Sequence, residues 1–91
     1  MEIRKIDFSK CRYVYDVHME IKRALNFPEH YGKNLDALWD CLWEYYDYTV
    51  LVEINGFNSA VDEIRRELNG IVRIFDRGVE QLEGFSYKII T

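Results

Sequence analysis

Residues Tyr31–Ile54 read YGKNLDALWDCLWEYYDYTVLVEI, and the change of hydrophobic period inside this stretch decides the fold. From about Asn34 to about Glu44 the leucines stand at Leu35, Leu38 and Leu42, a spacing that gathers them on one side of an α-helix. From Thr49 to Ile54 the residues become β-branched and almost continuously apolar, the pattern of a strand buried on both faces. A helix followed by a buried strand points to an α/β domain.

The elements on either side extend this pattern. Asn34 is placed to cap the helix, offering its side-chain oxygen to the exposed amides, and Asp36 in the first turn suits the positive helix end. The irregular loop before it, Asn26–Lys33, holds Pro28, the only proline, and Gly32, which supplies backbone freedom. Upstream, the spacing predicts a helix over about Tyr15–Leu25 with Val14, Val17, Ile21, Ala24 and Leu25 inward, and His18 as a packing residue on or near that face. Ile3, Ile6 and Phe8, separated by charges, predict a first strand within Met1–Phe8. Downstream, Asn55-Gly56 marks a turn, and Asn58 or Ser59 is placed to cap a third helix over about Ala60–Leu68. Asn69-Gly70 is expected to stop it. Ile71, Ile74, Phe75, Gly78 and Leu82 predict a fourth helix ending near Gly84, and Phe85–Thr91 a last strand. The order β-α-α-β-α-α-β requires parallel strands joined by helical crossovers. The expectation is one domain over residues 1–91: α/β, a three-stranded parallel sheet with four helices.

With 91 residues and 48% of them hydrophobic, the chain is long enough and apolar enough to build a core. No apolar run could span a bilayer and no signal-peptide pattern opens the chain, so a cytoplasmic protein without membrane contact, monomeric when free, is expected. Cys11 and Cys41 form no CxxC pair and read as free thiols, with Cys41 a small core residue beside the leucines. The net charge of −4 is unevenly spread: residues 34–64 carry seven acids (Asp36, Asp40, Glu44, Asp47, Glu53, Asp62, Glu63) and no Lys or Arg. Such a segment repels phosphate backbones and attracts a basic protein.

Asp36, Asp40 and Glu44 lie four residues apart on one helix face, with Trp39 and Trp43 between them and the leucines. Three like charges in file cost a helix a few tenths of a kcal/mol per pair, so their retention beside two large aromatics marks the leading functional face. Catalytic constellations are missing around it. There is no GxGxxG or GxxxxGK[ST] phosphate loop and no HExxH, and His18 and His30 are far apart in sequence. A glycosidase dyad needs carboxylates facing across a cleft, which one convex helix does not provide. A single helix face also rarely wraps a hard cation in six oxygens, so no metal or cofactor is expected.

The run Pro28–Leu42, PEHYGKNLDALWDCL, resembles the signature of the barstar family, whose members carry PEYYGxNLDALWD here. The likeness extends along nearly the whole chain, through Asp16, His18, Glu53, Phe57 and Phe75. It implies a three-stranded parallel sheet with helices, and a non-enzymatic function: blocking the active site of a secreted, guanyl-specific ribonuclease by direct protein contact. The positions matching the family's contact residues are His30, Lys33, Asn34, Leu35, Asp36, Trp39, Asp40, Trp43 and Glu44, with Gly32 shaping the loop. The resemblance implies that Asp40 takes the place of a substrate phosphate and that Asp36 faces the same basic cleft. A carboxylate on a rigid helix accepts paired hydrogen bonds from arginine, so the physical logic is sound in its own right. This chain departs from the family at four places. His30 stands for a tyrosine and Lys33 for an acid. Arg77 stands for a glutamate, with Asp76 beside it as the nearest substitute, and Trp43-Glu44-Tyr45 replaces a smaller, less charged run. These changes bear on which nuclease is the target. The second reading is a barstar-fold interaction module for another basic toxin or partner protein. A third takes the acids as a solvated face and the tryptophans as packing residues.

Overall fold

The computed structural model describes residues 1–45 and 49–91. Asp47, one of the seven acids of the acidic segment, lies outside the described residues. The chain runs β1 (Glu2–Asp7), α1 (Val14–Leu25), α2 (Leu35–Tyr45), β2 (Val50–Asn55), a 3-10 turn (Asp62–Ile64), α3 (Arg65–Gln81) and β3 (Phe85–Ile89). The three strands form one parallel sheet in the order β1-β2-β3, with Ile6 beside Ile54 and Ile54 beside Ile89. The expected parallel sheet is present.

Among the described residues the expected four helices are three. Asn69-Gly70 does not end a helix; it lies inside α3, which runs on for 17 residues. The predicted helix at Ala60–Leu68 is replaced at its start by the 3-10 turn, whose N-cap position is Val61, with no side-chain cap from Asn58 or Ser59. Gly70 is retained for a packing reason. A methyl group there would come within 2.6 Å of Leu35 Cδ1, so the glycine lets the first turn of α2 close onto α3. Gly70→Val is therefore expected to cost about 1 kcal/mol, the low end of overpacking because the obstructing Leu35 methyl ends a half-buried side chain that can turn aside, although valine has the better helix propensity by a few tenths of a kcal/mol. A melting temperature equal to or above that of the parent would refute this.

The sheet is covered on one face. Val50, Val52 and Ile54 are fully buried, whereas Leu51 and Glu53 are only half-buried, so β2 is not buried on both faces as its apolar run predicts. Lys5, Glu53 and Lys88 lie side by side across the outer face, and Lys88 Nζ stands 3.5 Å from the Glu53 carboxylate. The strand order is sequential, so crossovers of one hand place their helices on the same side. Val17, Ile21, Leu38, Leu42, Ile64, Leu68, Ile71 and Phe75 fill the space between helices and sheet. Val14, expected inward, is 41% exposed at the first position of α1.

Cys11 and Cys41 are both free and buried. Burial, then the nearby carboxylates of Glu20, Asp16 and Asp7, push the Cys11 thiol from about 9 up to about 11. The folded state thus holds this proton more tightly than the unfolded chain. The resulting stability is complete below about pH 9 and is lost as pH rises toward 11. Thermal melts across that window should fall less steeply for Cys11→Ala than for the parent; parallel curves would show that Cys11 does not contribute.

Candidate functional site

The loop before α2 is held at both ends. From its start at Phe27 and Pro28 it is tied to Tyr31: the Tyr31 amide donates to Pro28 O at 3.0 Å, and the buried Tyr31 ring packs on Phe27 with centroids 5.3 Å apart. The Tyr31 hydroxyl lies 2.6 Å from Nδ1 of His18, whose Nε2 lies 2.5 Å from a Glu67 carboxylate oxygen on α3. His18 is wholly inaccessible to solvent, so this Glu67–His18–Tyr31 chain ties the loop to α1 and α3 from inside. The expected packing histidine is thereby found with both ring nitrogens satisfied.

At its end, Asn34 caps α2 as predicted. The Ala37 amide donates to Asn34 Oδ1 at 2.8 Å, and Asn34 Nδ2 donates to Gly32 O at 3.2 Å. The unusual backbone belongs to Lys33 rather than to Gly32. Lys33 takes a φ of +55°, a left-handed conformation that costs a side-chain-bearing residue about 1 kcal/mol. Gly32 serves close approach instead, because a methyl group there would stand 3.0 Å from Ala37 Cβ. The strained lysine and its capping neighbour fix the angle at which the loop enters α2.

Along α2, Leu38 and Leu42 are fully buried, whereas Asp36, Asp40, Trp43 and Glu44 are exposed and Leu35 and Trp39 are half-covered. Neither tryptophan is a core residue: Trp43 is 58% exposed, and the two rings lean together with centroids 5.9 Å apart. The buried Cys41 thiol is pushed up by desolvation and then by Glu44 and Asp40, whose negative field reaches it. Among the described residues neither Asp40 nor Glu44 has an ion-pair or hydrogen-bond partner. Trp39, Asp40, Trp43 and Glu44, with Gln81 from the end of α3, line an open cleft of about 530 Å³.

The remaining candidates fall elsewhere. His30 is exposed on the loop ahead of the helix. Asp76 accepts a hydrogen bond from the Tyr87 hydroxyl of β3, and burial first, then this bond and the Asp76 charge, push the tyrosine up to about 12. Its carboxylate is thus engaged with the sheet and is not gathered with the α2 acids. The neighbouring residue joins the site instead: the Arg77 guanidinium lies 4.2 Å from the centre of the Trp39 ring. Arg77 and Gln81 were not among the expected site residues. Their i, i+4 spacing on α3 and the packing of α3 on α2 are what bring them there; the family resemblance marks position 77 as one the family uses, whereas nothing in the sequence signals Gln81.

The site sits in a chain that matches a known family model, described as barstar (barnase inhibitor), over residues 1–90. It is also 31% identical to YrdF of Bacillus subtilis (strain 168), which carries the provisional designation of ribonuclease inhibitor; the match covers 92% of this chain and 88% of that one.

Proposed function

The chain belongs to the barstar family, and from that premise we propose that it is a non-catalytic inhibitor of a guanyl-specific, barnase-type ribonuclease. In this reading α2 and the loop before it enter the enzyme's basic cleft, as a cytoplasmic protein that is monomeric until it meets the nuclease. The carrying observation is the exposed acid file of Asp36, Asp40 and Glu44, without hydrogen-bond or ion-pair partners among the described residues, on a helix whose entry loop is fixed by Asn34 and Tyr31. A ribonuclease binds a polyanion, so its cleft is lined with cations, and a preorganised carboxylate can stand in for a phosphate there. His30, Gly32, Lys33, Asn34 and Leu35 contribute the loop side of the surface, and Trp39 and Trp43 its aromatic side.

The test is a titration of the purified protein into guanyl-specific microbial ribonucleases, barnase among them, with RNA cleavage as the readout. Loss of activity at one inhibitor per enzyme is expected for at least one of them. Unchanged cleavage by every nuclease in the panel would remove the reading. A second reading, a barstar-fold module for another basic toxin or partner protein, draws on Arg77. Its positive charge on Trp39 puts a cation beside the acidic face where the family carries an acid, and so favours a partner surface differing from that of barnase.

A further inference from the structure

We infer that the cleft beside Trp43 receives a single arginine side chain of the partner protein, its guanidinium flat against the Trp43 ring and its N–H groups donating to Glu44. This rests on the reading above that α2 docks on a basic protein, and it assigns the C-terminal half of that face a separate role from Asp36 and the loop.

Four features of the cleft converge on this occupant. The cleft is open to solvent and lies on a helix face, a shape suited to a side chain offered by another surface more than to an engulfed small molecule. Trp43 is 58% exposed, an uncommon state for so large a ring, and Glu44 lies next to it without a partner among the described residues. The cleft also lies at the negative end of the α2 dipole, where the last turn carries Glu44 and no basic residue. In the free protein that arrangement is repulsive, and a cation bound there relieves it. Finally, the molecule already seats a guanidinium on the neighbouring indole: Arg77 lies over Trp39 at 4.2 Å. That arginine occupies Trp39, and Trp43, 5.9 Å away ring to ring, is the indole left for the partner.

Arginine is favoured over lysine by the combination of a ring and a carboxylate. The planar guanidinium can stack on the indole while its edge N–H groups reach a carboxylate, whereas an ammonium is a strongly hydrated point charge that stacks poorly. The inferred arginine contact is with Trp43 and Glu44, so these two residues set which basic protein is preferred.

The test uses the whole protein and needs no identified partner. Heteronuclear NMR follows a titration with Nα-acetyl-arginine amide at constant ionic strength, with the matching lysine and citrulline amides as comparators. The arginine amide is expected to shift the Trp43 indole and the Glu44 and Gln81 amides about threefold or more beyond the lysine amide, and the uncharged citrulline to shift them hardly at all. Trp43→Leu and Glu44→Gln, both at exposed positions, should cut the response about fivefold while the parent's circular dichroism and melting temperature are retained. Equal shifts from all three amides, or shifts spread along Asp36 and the loop, would overturn the assignment. Its fate is separable from that of the proposed function. Arginine-selective shifts without any ribonuclease inhibition support the cleft and remove the nuclease. Inhibition that survives Trp43→Leu and Glu44→Gln undiminished, with a flat NMR titration, removes the cleft and keeps the nuclease.

Discussion

Asp40→Ala is expected to weaken the complex with an inhibited ribonuclease by about 2 kcal/mol or more, roughly 30-fold in Kd, while leaving the fold intact. The magnitude follows from truncating one side of a desolvated ion pair, which strands the enzyme's cationic groups in the interface without a counter-charge. The fold should hold because Asp40 is exposed, with no described partner inside the chain. Alanine is the better helix former, and the change removes repulsion with Asp36 and Glu44, so the melting temperature should stay level or rise slightly. The measurement is a pair: inhibition or calorimetric titration for affinity, thermal melting for stability. An Asp40→Ala protein that melts several degrees lower yet binds as well as the parent would make the acid file a structural feature and not a docking one.

Asp36 is the natural comparator, because its position supplies an alternative explanation that Asp40 lacks. It stands in the first turn of α2, where a carboxylate is favoured by the helix dipole by about 0.3–1 kcal/mol. Its replacement should therefore lower stability slightly as well as affinity. Asp40 is mid-helix and Glu44 is near the unfavourable end, so neither gains from the helix dipole as Asp36 does. The three members of one acidic file thus differ in how their loss divides between folding and binding.

The elements that the sequence makes legible are those specified by local chemistry. The Asn34 cap, the leucine stripe of α2 and the apolar strand after it depend on spacing and side-chain type alone, and each is found where the pattern puts it. The errors come from residues with more than one physical use. Asn69-Gly70 carries the chemistry of a helix stop, but Gly70 answers to the close approach of Leu35, a contact 35 positions away that no window of sequence contains. Gly32 was likewise expected to supply backbone freedom, which is instead taken by Lys33 while the glycine makes room for Ala37. For the candidate face, helical periodicity places Trp39, Asp40, Trp43 and Glu44 together. Which of Asp76 and Arg77 joins them depends on the rotation of α3, and that is set by tertiary packing: Tyr87 engages Asp76 toward the sheet and Trp39 engages Arg77 toward α2.

His18→Ala should be among the most damaging single changes in the chain, lowering stability by about 3–5 kcal/mol. Three costs act together. The side chain is fully buried, so its removal opens a cavity in a packed core. The Tyr31 hydroxyl, itself buried, loses its partner 2.6 Å away, and the Glu67 carboxylate, half-buried on α3, loses the partner at 2.5 Å. An unpaired buried hydroxyl alone costs about 1–3 kcal/mol. Tyr31→Phe, which removes only the hydroxyl, should cost about 1–2 kcal/mol, since it leaves one ring nitrogen unpaired but fills the same volume. The double variant should be less destabilised than the sum of the two by about 1 kcal/mol, because residues joined by one hydrogen bond couple by that order. Additivity within a few tenths of a kcal/mol in urea melts would show that the His18–Tyr31 contact carries no energy. The same cycle bears on function through geometry. Tyr31 anchors the loop that delivers Asn34 and the acidic face, so a Tyr31→Phe protein that stays folded should release a ribonuclease faster than the parent, although it alters no residue of the proposed docking surface itself.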